Sequence, residues 1–205
     1  GFAVLTCDLP GHGLSSGARA SINSFAEYQQ VLQALLAQAM RLHLPRPLHL
    51  IGQSTGAAIG LDLALHDWPS HMGRLVMLAP LVRPRAWQQA WLLYQGLRPF
   101  VRKIRRRRSQ NSGDAEFLRF LQQDPLQPGE LPTAWVGALS RWIPRIEQAA
   151  PVGISPLIIQ GDADRTVDWQ HNLQVLQDKF AEPRICLLEG AQHHLVNELE
   201  TYRQQ

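Results

Sequence analysis

Short apolar runs alternate with amphipathic segments along most of this chain. Each run is bounded by glycine, proline or polar residues, which is the pattern of a strand buried in a sheet. This pattern predicts five strands, at residues 2–9, 48–51, 74–79, 156–160 and 184–188.

Helical periodicity fills the intervals between these runs. Ser24 and Glu27 have the spacing of a capping box, and apolar residues then recur every three or four positions until Pro45. Residues 57–65 are apolar nearly all round, which indicates a buried helix, and a further helix is predicted for residues 168–180. Because strands that alternate with helices form parallel βαβ units, the predicted fold class is α/β with a doubly wound, mostly parallel sheet.

Residues 81–150 interrupt this alternation, because they contain no convincing strand. They hold four of the six tryptophans, a block of arginines and several prolines. We therefore predict a core in two parts, residues 1–80 and 151–205, with residues 81–150 inserted between them as a helical cap.

Composition excludes several classes of protein. With 45% hydrophobic and 18% charged residues the chain is not expected to be disordered, and no apolar run approaches the roughly 18 residues of a transmembrane helix. The net charge of +3 is local, because residues 102–108 carry six basic side chains and the remainder has 14 basic against 17 acidic residues. A protein that binds nucleic acid through a basic surface is therefore not expected.

The two cysteines, Cys7 and Cys186, lie in apolar runs far apart in the sequence. This placement predicts two buried, unpaired thiols and gives a weak indication of a cytoplasmic protein.

The segment around Ser54 has the context of a nucleophile elbow. Gly52-x-Ser54-x-Gly56 follows an apolar strand and precedes the buried helix, so that Ser54 would project from a sharp, strained turn. We expect Gly52 and Gly56 to avoid a clash where strand and helix nearly touch. Ser54 is the predicted nucleophile, and the N–H of Thr55 is a predicted oxyanion donor.

A serine hydroxyl needs a base, and this architecture supplies a histidine after the last strand and an acid after an earlier one. His193 follows the run at residues 184–188, and Asp164 follows the run at residues 156–160. Both lie where parallel sheets place their functional sites, at the carboxyl ends of strands. We predict His193 as the base and Asp164 as the acid that orients it.

Each of these assignments has a competitor. Asp162 is an alternative acid, which would leave Asp164 as a loop cap, and His194 is an alternative base. Asp168 is expected to cap the helix that follows.

Four stretches resemble the branch of the α/β-hydrolase superfamily that contains monoacylglycerol lipases, lysophospholipases and serine-aminopeptidase-like proteins. They are residues 8–15 (Asp-Leu-Pro-Gly-His-Gly-Leu-Ser), 52–56, 161–167 and 190–198. The resemblance implies that Ser54, Asp164 and His193 form a catalytic triad that needs no metal and no cofactor. It implies a structural role for His12.

The chain departs from the family pattern in two respects. Gln53 and Thr55 stand where His and Met are usual, which weakens the transfer of substrate class. The family also has three strands before the one that residues 2–9 resemble, and the loop after the third carries a second oxyanion N–H. We therefore expect a fragment of an α/β-hydrolase fold that lacks the N-terminal strands.

The resemblance also implies a cap that covers the nucleophile and shapes the substrate pocket. The candidate substrate-binding residues are Trp87, Trp91, Trp135 and Trp142, although they would equally serve to pack the cap onto the sheet. The block from Arg102 to Arg108 is a candidate contact for anionic lipid, with a solvated helix end or loop as the alternative. Aromatic residues do not alternate with these charges, so nucleic acid is not an expected partner.

The function predicted from the residues and the resemblance is hydrolysis of a carboxylic ester through an acyl-enzyme on Ser54. The expected substrate is a lipid ester, such as a monoacylglycerol or a lysophospholipid. A peptide or amide hydrolase is the alternative enzyme, which acidic residues in the cap would favour. A non-catalytic binding protein on the same fold is the alternative from another class.

Overall fold

A computed structural model describes residues 2–105 and 110–204 of the protein. In chain order its elements are α1 (Ala26–Arg41), β1 (Leu48–Gln53), α2 (Thr55–His66), β2 (Met72–Leu78), α3 (Trp87–Leu97), β3 (Lys103–Arg105), α4 (Ala115–Gln123), β4 (Glu130–Pro132), α5 (Thr133–Gln148), β5 (Leu157–Gly161), α6 (Trp169–Lys179), β6 (Arg184–Leu188), a 3-10 turn (Leu195–Asn197) and α7 (Glu200–Arg203).

The main sheet has four parallel strands in the order β1-β2-β5-β6. The connections β1-α2-β2 and β5-α6-β6 are the βαβ units expected from the alternation of apolar runs and helices. The predicted α/β class is confirmed, and four of the five predicted strands are present. All four strands end at the same edge of the sheet, so the loops that follow β1, β5 and β6 lie near one another.

The sheet separates a large core from a small one. Successive residues of a strand point to opposite faces, so Met77 and Ile158 join the large core while Leu78 and Ile159 contact the small cluster. The large core also contains α2, which is buried on nearly every side, as its composition predicts. Tyr202 of α7 packs against the small cluster on the other face.

The predicted strand at residues 2–9 is not formed. An apolar run favours burial, but a strand also needs a neighbour that pairs with its N–H and C=O groups. Within the described ranges no strand pairs with this segment, and the side chains of Phe2 and Val4 are 93% and 85% exposed.

Both cysteines are unpaired, as predicted, but both are exposed rather than buried. Cys7 lies in the unpaired segment at residues 2–9. Cys186 lies on the edge strand β6 opposite Ile159, on the face of the sheet that carries only the small cluster. The prediction of burial is therefore wrong for both cysteines, because an apolar run does not reveal how little of the protein packs against it.

The described part of residues 81–150 contains three helices and also two strands that the sequence pattern did not predict. β3 and β4 pair antiparallel over three residues each, which is too short for an alternating pattern to be recognised. The helix α5 contributes Leu139, Trp142 and Ile146 to the large core. Among residues 2–105 and 110–204, no helix is both long enough and apolar enough to cross a bilayer.

Candidate active site

Ser54 occupies the turn between β1 and α2 with φ +52° and ψ −113°. Such a conformation is costly for a residue with a side chain, and it is held by the N–H groups of Ala58 and Leu81, which donate to the Ser54 carbonyl at 3.0 and 3.3 Å. A Cβ at Gly52 would meet the carbonyl group of Gly56, so strand and helix touch here as expected.

The requirement for glycine differs between the two positions of the motif. Apart from its chain neighbours and the backbone of its own helix, a Cβ built at Gly56 would have no heavy atom within 4 Å, whereas one built at Gly52 would lie 2.6 Å from the backbone nitrogen of Ala57. The close approach of strand and helix therefore explains Gly52 but not Gly56.

His193 joins Ser54 to Asp164 in one chain of hydrogen bonds. His193 Nδ1 lies 2.7 Å from Asp164 Oδ2, and His193 Nε2 lies 2.9 Å from Ser54 Oγ. Because an ionised carboxylate can only accept, Nδ1 must carry the proton of a neutral imidazole. Nε2 is then left as an acceptor for the Ser54 hydroxyl.

The carboxyl group of Asp164 is buried and surrounded by donors. Its Oδ1 accepts from the N–H groups of Thr166 and Val167 at 2.7 and 3.2 Å, and its Oδ2 accepts from Gln160 Nε2 at 3.2 Å as well as from His193. Burial raises the pKa of Asp164, but the bond to His193 and the other donors outweigh burial, so the pKa lies below its ordinary value. Asp164 is therefore ionised at neutral pH.

The loops that carry the acid and the histidine are locked together by their backbones. The N–H of Asp162 donates to the carbonyl of Leu188 at 3.2 Å, and the N–H of Ala163 donates to the carbonyl of Ala191 at 3.1 Å. A Cβ at Gly161 would collide with the carbonyl of Ala191, so only glycine permits this approach.

The competing residues make other contacts. Asp162 Oδ1 accepts from the N–H of Gly190 at 2.7 Å, and His194 Nδ1 lies 3.2 Å from Gln53 Nε2. His12 Nδ1 lies 3.0 Å from the carbonyl oxygen of Pro10, within its own loop. Asp168 occupies the N-cap position of α6, as expected, although its side chain makes no capping hydrogen bond.

Thr55 is the first residue of α2, and its N–H therefore has no carbonyl partner within the helix. The positive end of the helix dipole lies at the same place. An oxygen that becomes negatively charged beside Ser54 would meet a donor and a favourable field there. The assignment of Thr55 as an oxyanion donor stays a prediction.

The structure divides the four tryptophans between two environments. Trp142 is 3% exposed, stacks on Phe25 with a centroid separation of 4.6 Å and donates to buried Asp62 at 3.1 Å. Trp135 packs against the same core and donates to Tyr28 Oη at 3.3 Å. These are contacts of core residues, because both indole N–H groups are bonded to α1 or α2 rather than directed at an open pocket.

Trp87 and Trp91 lie on α3, where no residue is fully buried. Trp87 packs partly against the large core, and Trp91 is 38% exposed. Trp87 and Trp91 stay candidates for contact with substrate, whereas Trp135 and Trp142 make the packing contacts that the sequence allowed as the alternative.

The basic block from Arg102 to Arg108 is described only in part. Arg102, Lys103 and Arg105 are exposed, and Lys103 pairs with Glu130 across β3 and β4 at 3.0 Å. The positions from Arg106 to Arg108 lie outside the described residues.

Sequence reasoning missed two residues that support the site. Gln160 is completely buried in β5 and donates to Asp164, and Glu198 is 1% exposed and accepts from the N–H of Gln192 at 2.8 Å. For Gln160 the sequence offered one signal, because it is a polar residue within an apolar run. Glu198 closes the stretch 190–198, for which only the histidine had been given a role. In the part of the chain that the structure describes, no group of three or more His, Cys, Asp or Glu side chains is arranged to hold a metal.

Comparison with known proteins places this geometry in context. The family described as "Serine aminopeptidase, S33" matches residues 1–200. The chain is 25% identical over 206 residues to a monoglyceride lipase homolog of Monkeypox virus, covering 98% of the chain and 74% of that protein. It is 26% identical over 206 residues to the monoglyceride lipase of Rattus norvegicus, covering 96% of the chain and 67% of that protein.

The same similarity is found among solved structures. The monoacylglycerol lipase of Paleococcus ferrophilus superposes with a TM-score of 0.79, covering 95% of this chain and 76% of that one. Because the sequence identity in this pair is 17%, the superposition establishes a shared fold and no more.

Proposed function

The chain belongs to the serine aminopeptidase family, S33, in the monoacylglycerol lipase branch of the α/β-hydrolases, and from this premise we propose that it hydrolyses a carboxylic ester of a lipid. The observation that carries the proposal is the continuous chain of hydrogen bonds from Ser54 through His193 to Asp164. It begins on a strained turn that presents a half-buried hydroxyl beside a helix N-terminus.

In the first half of the reaction, Ser54 Oγ attacks the acyl carbonyl carbon while His193 Nε2 accepts the hydroxyl proton. The carbonyl oxygen becomes an oxyanion, which the N–H of Thr55 stabilises. Asp164, kept ionised by its donors, stabilises the imidazolium. The bond to the leaving alcohol then breaks, His193 returns the proton to the alcohol oxygen, and an acyl-enzyme remains.

In the second half, water replaces the alcohol. His193 Nε2 accepts a proton from the water as the water oxygen attacks the acyl carbonyl carbon. Collapse of the second tetrahedral intermediate breaks the bond to Ser54 Oγ, which regains its proton from His193. The product is a carboxylic acid, which ionises at neutral pH.

A lipid substrate is supported by the relatives and by the surface of α3. The two similar proteins named above are called monoglyceride lipases or homologs of one. Leu92 and Leu93 on α3 are 65% and 57% exposed, and Trp91 lies beside them. In this proposal residues 81–150 cap the site, with Trp87 and Trp91 near an acyl chain and the exposed part of the basic block near anionic lipid.

The experiment compares nitrophenyl esters from acetyl to palmitoyl, together with a monoacylglycerol and a lysophospholipid. Ser54→Ala removes the nucleophile. Ser140→Ala is the matched control, because it deletes a hydroxyl that bonds only within α5, to the carbonyl of Gly137. We expect turnover that rises with acyl length, disappears in Ser54→Ala and persists in Ser140→Ala.

Peptide or amide hydrolysis is the second candidate, because the matched family is described as a serine aminopeptidase. Such an enzyme needs a carboxylate free to hold a substrate amine. Most carboxylates of the insertion are already bonded: Glu147 to Arg83, Glu130 to Lys103, and Asp114 and Asp124 to backbone N–H groups. Glu116, exposed in the first turn of α4, is the candidate that remains. Turnover of aminoacyl nitroanilides without turnover of esters would replace the ester proposal, and failure of a fluorophosphonate to label Ser54 would favour a binding protein.

A further inference from the structure

The segment at residues 111–113, which precedes α4, is fastened to the loop that carries His193. The N–H of His194 donates to the carbonyl of Asn111 at 2.9 Å, and Ser112 Oγ donates to the carbonyl of Asn197 at 2.7 Å. The N–H of Gly113 donates to Glu198 Oε2 at 2.8 Å. Three consecutive residues of the insertion thus bond to the histidine loop, and Ser112 is completely buried among these contacts.

Glu198 is the centre of this junction. Its carboxyl group is 1% exposed and accepts three backbone N–H groups: Gln192 on Oε1, and Gly113 and Leu199 on Oε2 at 2.8 and 3.1 Å. A carboxylate is the only side chain of this length with two oxygens that both accept, and burying it is costly unless such donors are present. A Cβ at Gly113 would lie 2.9 Å from Oε2, so the segment approaches the carboxylate as closely as a glycine permits.

The bond to Gln192 acts on the backbone immediately before His193. The carbonyl of Ala191 belongs to the same peptide unit as the N–H of Gln192 and accepts from the N–H of Ala163 in the acid loop. The peptide unit between Ala191 and Gln192 is therefore held from two sides, by the acid loop and by Glu198. Rotation of this unit would move the imidazole relative to Ser54 Oγ.

We propose that Glu198 is a positioning residue for His193, and that it sets the position of the base and of residues 111–113 together. This inference rests on the proposed function, because it assigns the role by its effect on the base. It adds a residue that touches neither substrate nor the reacting atoms but fixes the loop from which the base projects. When residues 111–113 bind to Glu198, the same carboxylate holds His193 in the position that it needs to act as the base.

The substitution Glu198→Gln tests this role with almost no change in volume. The amide has one acceptor oxygen and one NH₂ group, and the NH₂ must face a backbone N–H whichever way it is turned. Turning the oxygen toward Gly113 and Leu199 keeps two bonds and places the NH₂ against the N–H of Gln192. The bond that is lost is then the one that holds the histidine loop.

The measurement is kcat and KM on the best ester, expressed per active site titrated with a fluorophosphonate. A displacement of the base by about 1 Å costs up to about a hundredfold in rate, so we expect kcat to fall by about 10- to 100-fold with KM little changed. The matched control is Glu200→Gln, the same chemical change on an exposed carboxylate of α7, which should keep the wild-type kcat. A merely structural role would reduce the number of titrated sites and leave kcat per site unchanged, and that result would overturn the proposal.

Two further readouts keep the outcome decisive. If Glu198→Gln does not fold, Ser112→Ala opens the same junction from the side of the insertion, and a wild-type kcat per site in that variant overturns the proposal. Amide hydrogen exchange at residues 191–194 needs no turnover, and we expect it to accelerate in Glu198→Gln but not in Glu200→Gln. Absence of Ser54-dependent turnover in the wild-type chain would refute the proposed function, whereas unchanged exchange in Glu198→Gln would refute the positioning role by itself.

Discussion

Replacing Asp164 by asparagine changes one atom and reverses the hydrogen-bond pattern of the site. In the wild type, Oδ1 accepts from the N–H groups of Thr166 and Val167, and Oδ2 accepts from His193 and Gln160. The asparagine oxygen is expected to stay with the two backbone N–H groups, because these cannot move without deforming the loop. The new NH₂ group then faces His193 Nδ1.

This orientation forces the wrong tautomer on the base. His193 Nδ1 must accept from the asparagine NH₂ group, so the imidazole proton moves to Nε2. Nε2 then donates toward Ser54 Oγ and can no longer accept the hydroxyl proton. The same change in a serine protease triad lowers kcat by about 10⁴. At about 1.4 kcal/mol per tenfold change, the barrier rises by about 5–6 kcal/mol. Stability should fall far less, by about 1–3 kcal/mol, because only the acceptor of Gln160 is lost.

The assay compares kcat for Asp164→Asn and Asp162→Asn on one nitrophenyl ester, with melting temperatures to show that both variants fold. Asp162 Oδ1 accepts only from the N–H of Gly190, and an asparagine oxygen preserves that bond. Asp162→Asn should therefore retain most of the wild-type kcat. A loss below tenfold in Asp164→Asn, or an equal loss in Asp162→Asn, would refute the assignment of the acid.

Two further predictions concern the glycines beside Ser54 and the partly buried ion pair of Glu147. Gly52→Ala should lower the free energy of unfolding by about 1–3 kcal/mol and abolish ester turnover, because its Cβ overlaps backbone atoms. Gly56→Ala should leave the midpoint of chemical denaturation unchanged or shift it to a higher denaturant concentration. Burial raises the pKa of Glu147, but hydrogen bonds from Arg83 and His171 outweigh it and lower the pKa below the usual 4.5. Glu147→Gln should therefore cost about 1–3 kcal/mol of stability at pH 7, and denaturation curves should show the difference shrinking as the pH falls below about 4.5.

The central sheet was predictable because its strands are short apolar runs between strong turn signals. The run at residues 184–188 coincides with β6, and the run at residues 156–160 is displaced from β5 by one residue. Both strands pair with parallel neighbours and are apolar in sequence, although β5 is buried at three of its five residues and β6 only at Leu188. The segment at residues 2–9 has the same signal without a paired neighbour in the described chain, and hydrophobicity alone does not reveal that difference.

Ser54, His193 and Asp164 were predictable because each lies in the loop that directly follows a strand of the parallel sheet. These loops lie close together, since the strand ends share one edge of the sheet. Glu198 and Trp142 were not predictable in this way. The role of Glu198 depends on residues 111–113, and that of Trp142 on a carboxylate of α2, so both depend on contacts between segments distant in sequence.

The strained turn at Ser54 persists because the loops around it restrain one another. Gln53, immediately before Ser54, contacts the histidine loop at two points. Its Nε2 lies 3.2 Å from His194 Nδ1, and its Oε1 accepts from the N–H of Val196 at 3.4 Å. A residue held at positive φ costs about 1–3 kcal/mol and is retained only where the surrounding structure over-determines it.

The His194 ring in turn packs against Phe117 of α4 with a centroid separation of 5.3 Å. A route of direct contacts therefore leads from the elbow through Gln53 and His194 to the insertion. It runs beside the backbone route through Glu198. The departure of Gln53 from the family pattern falls on this route rather than among Ser54, His193 and Asp164. It therefore bears on how α4 meets the elbow and leaves the hydrogen bonds among those three residues intact.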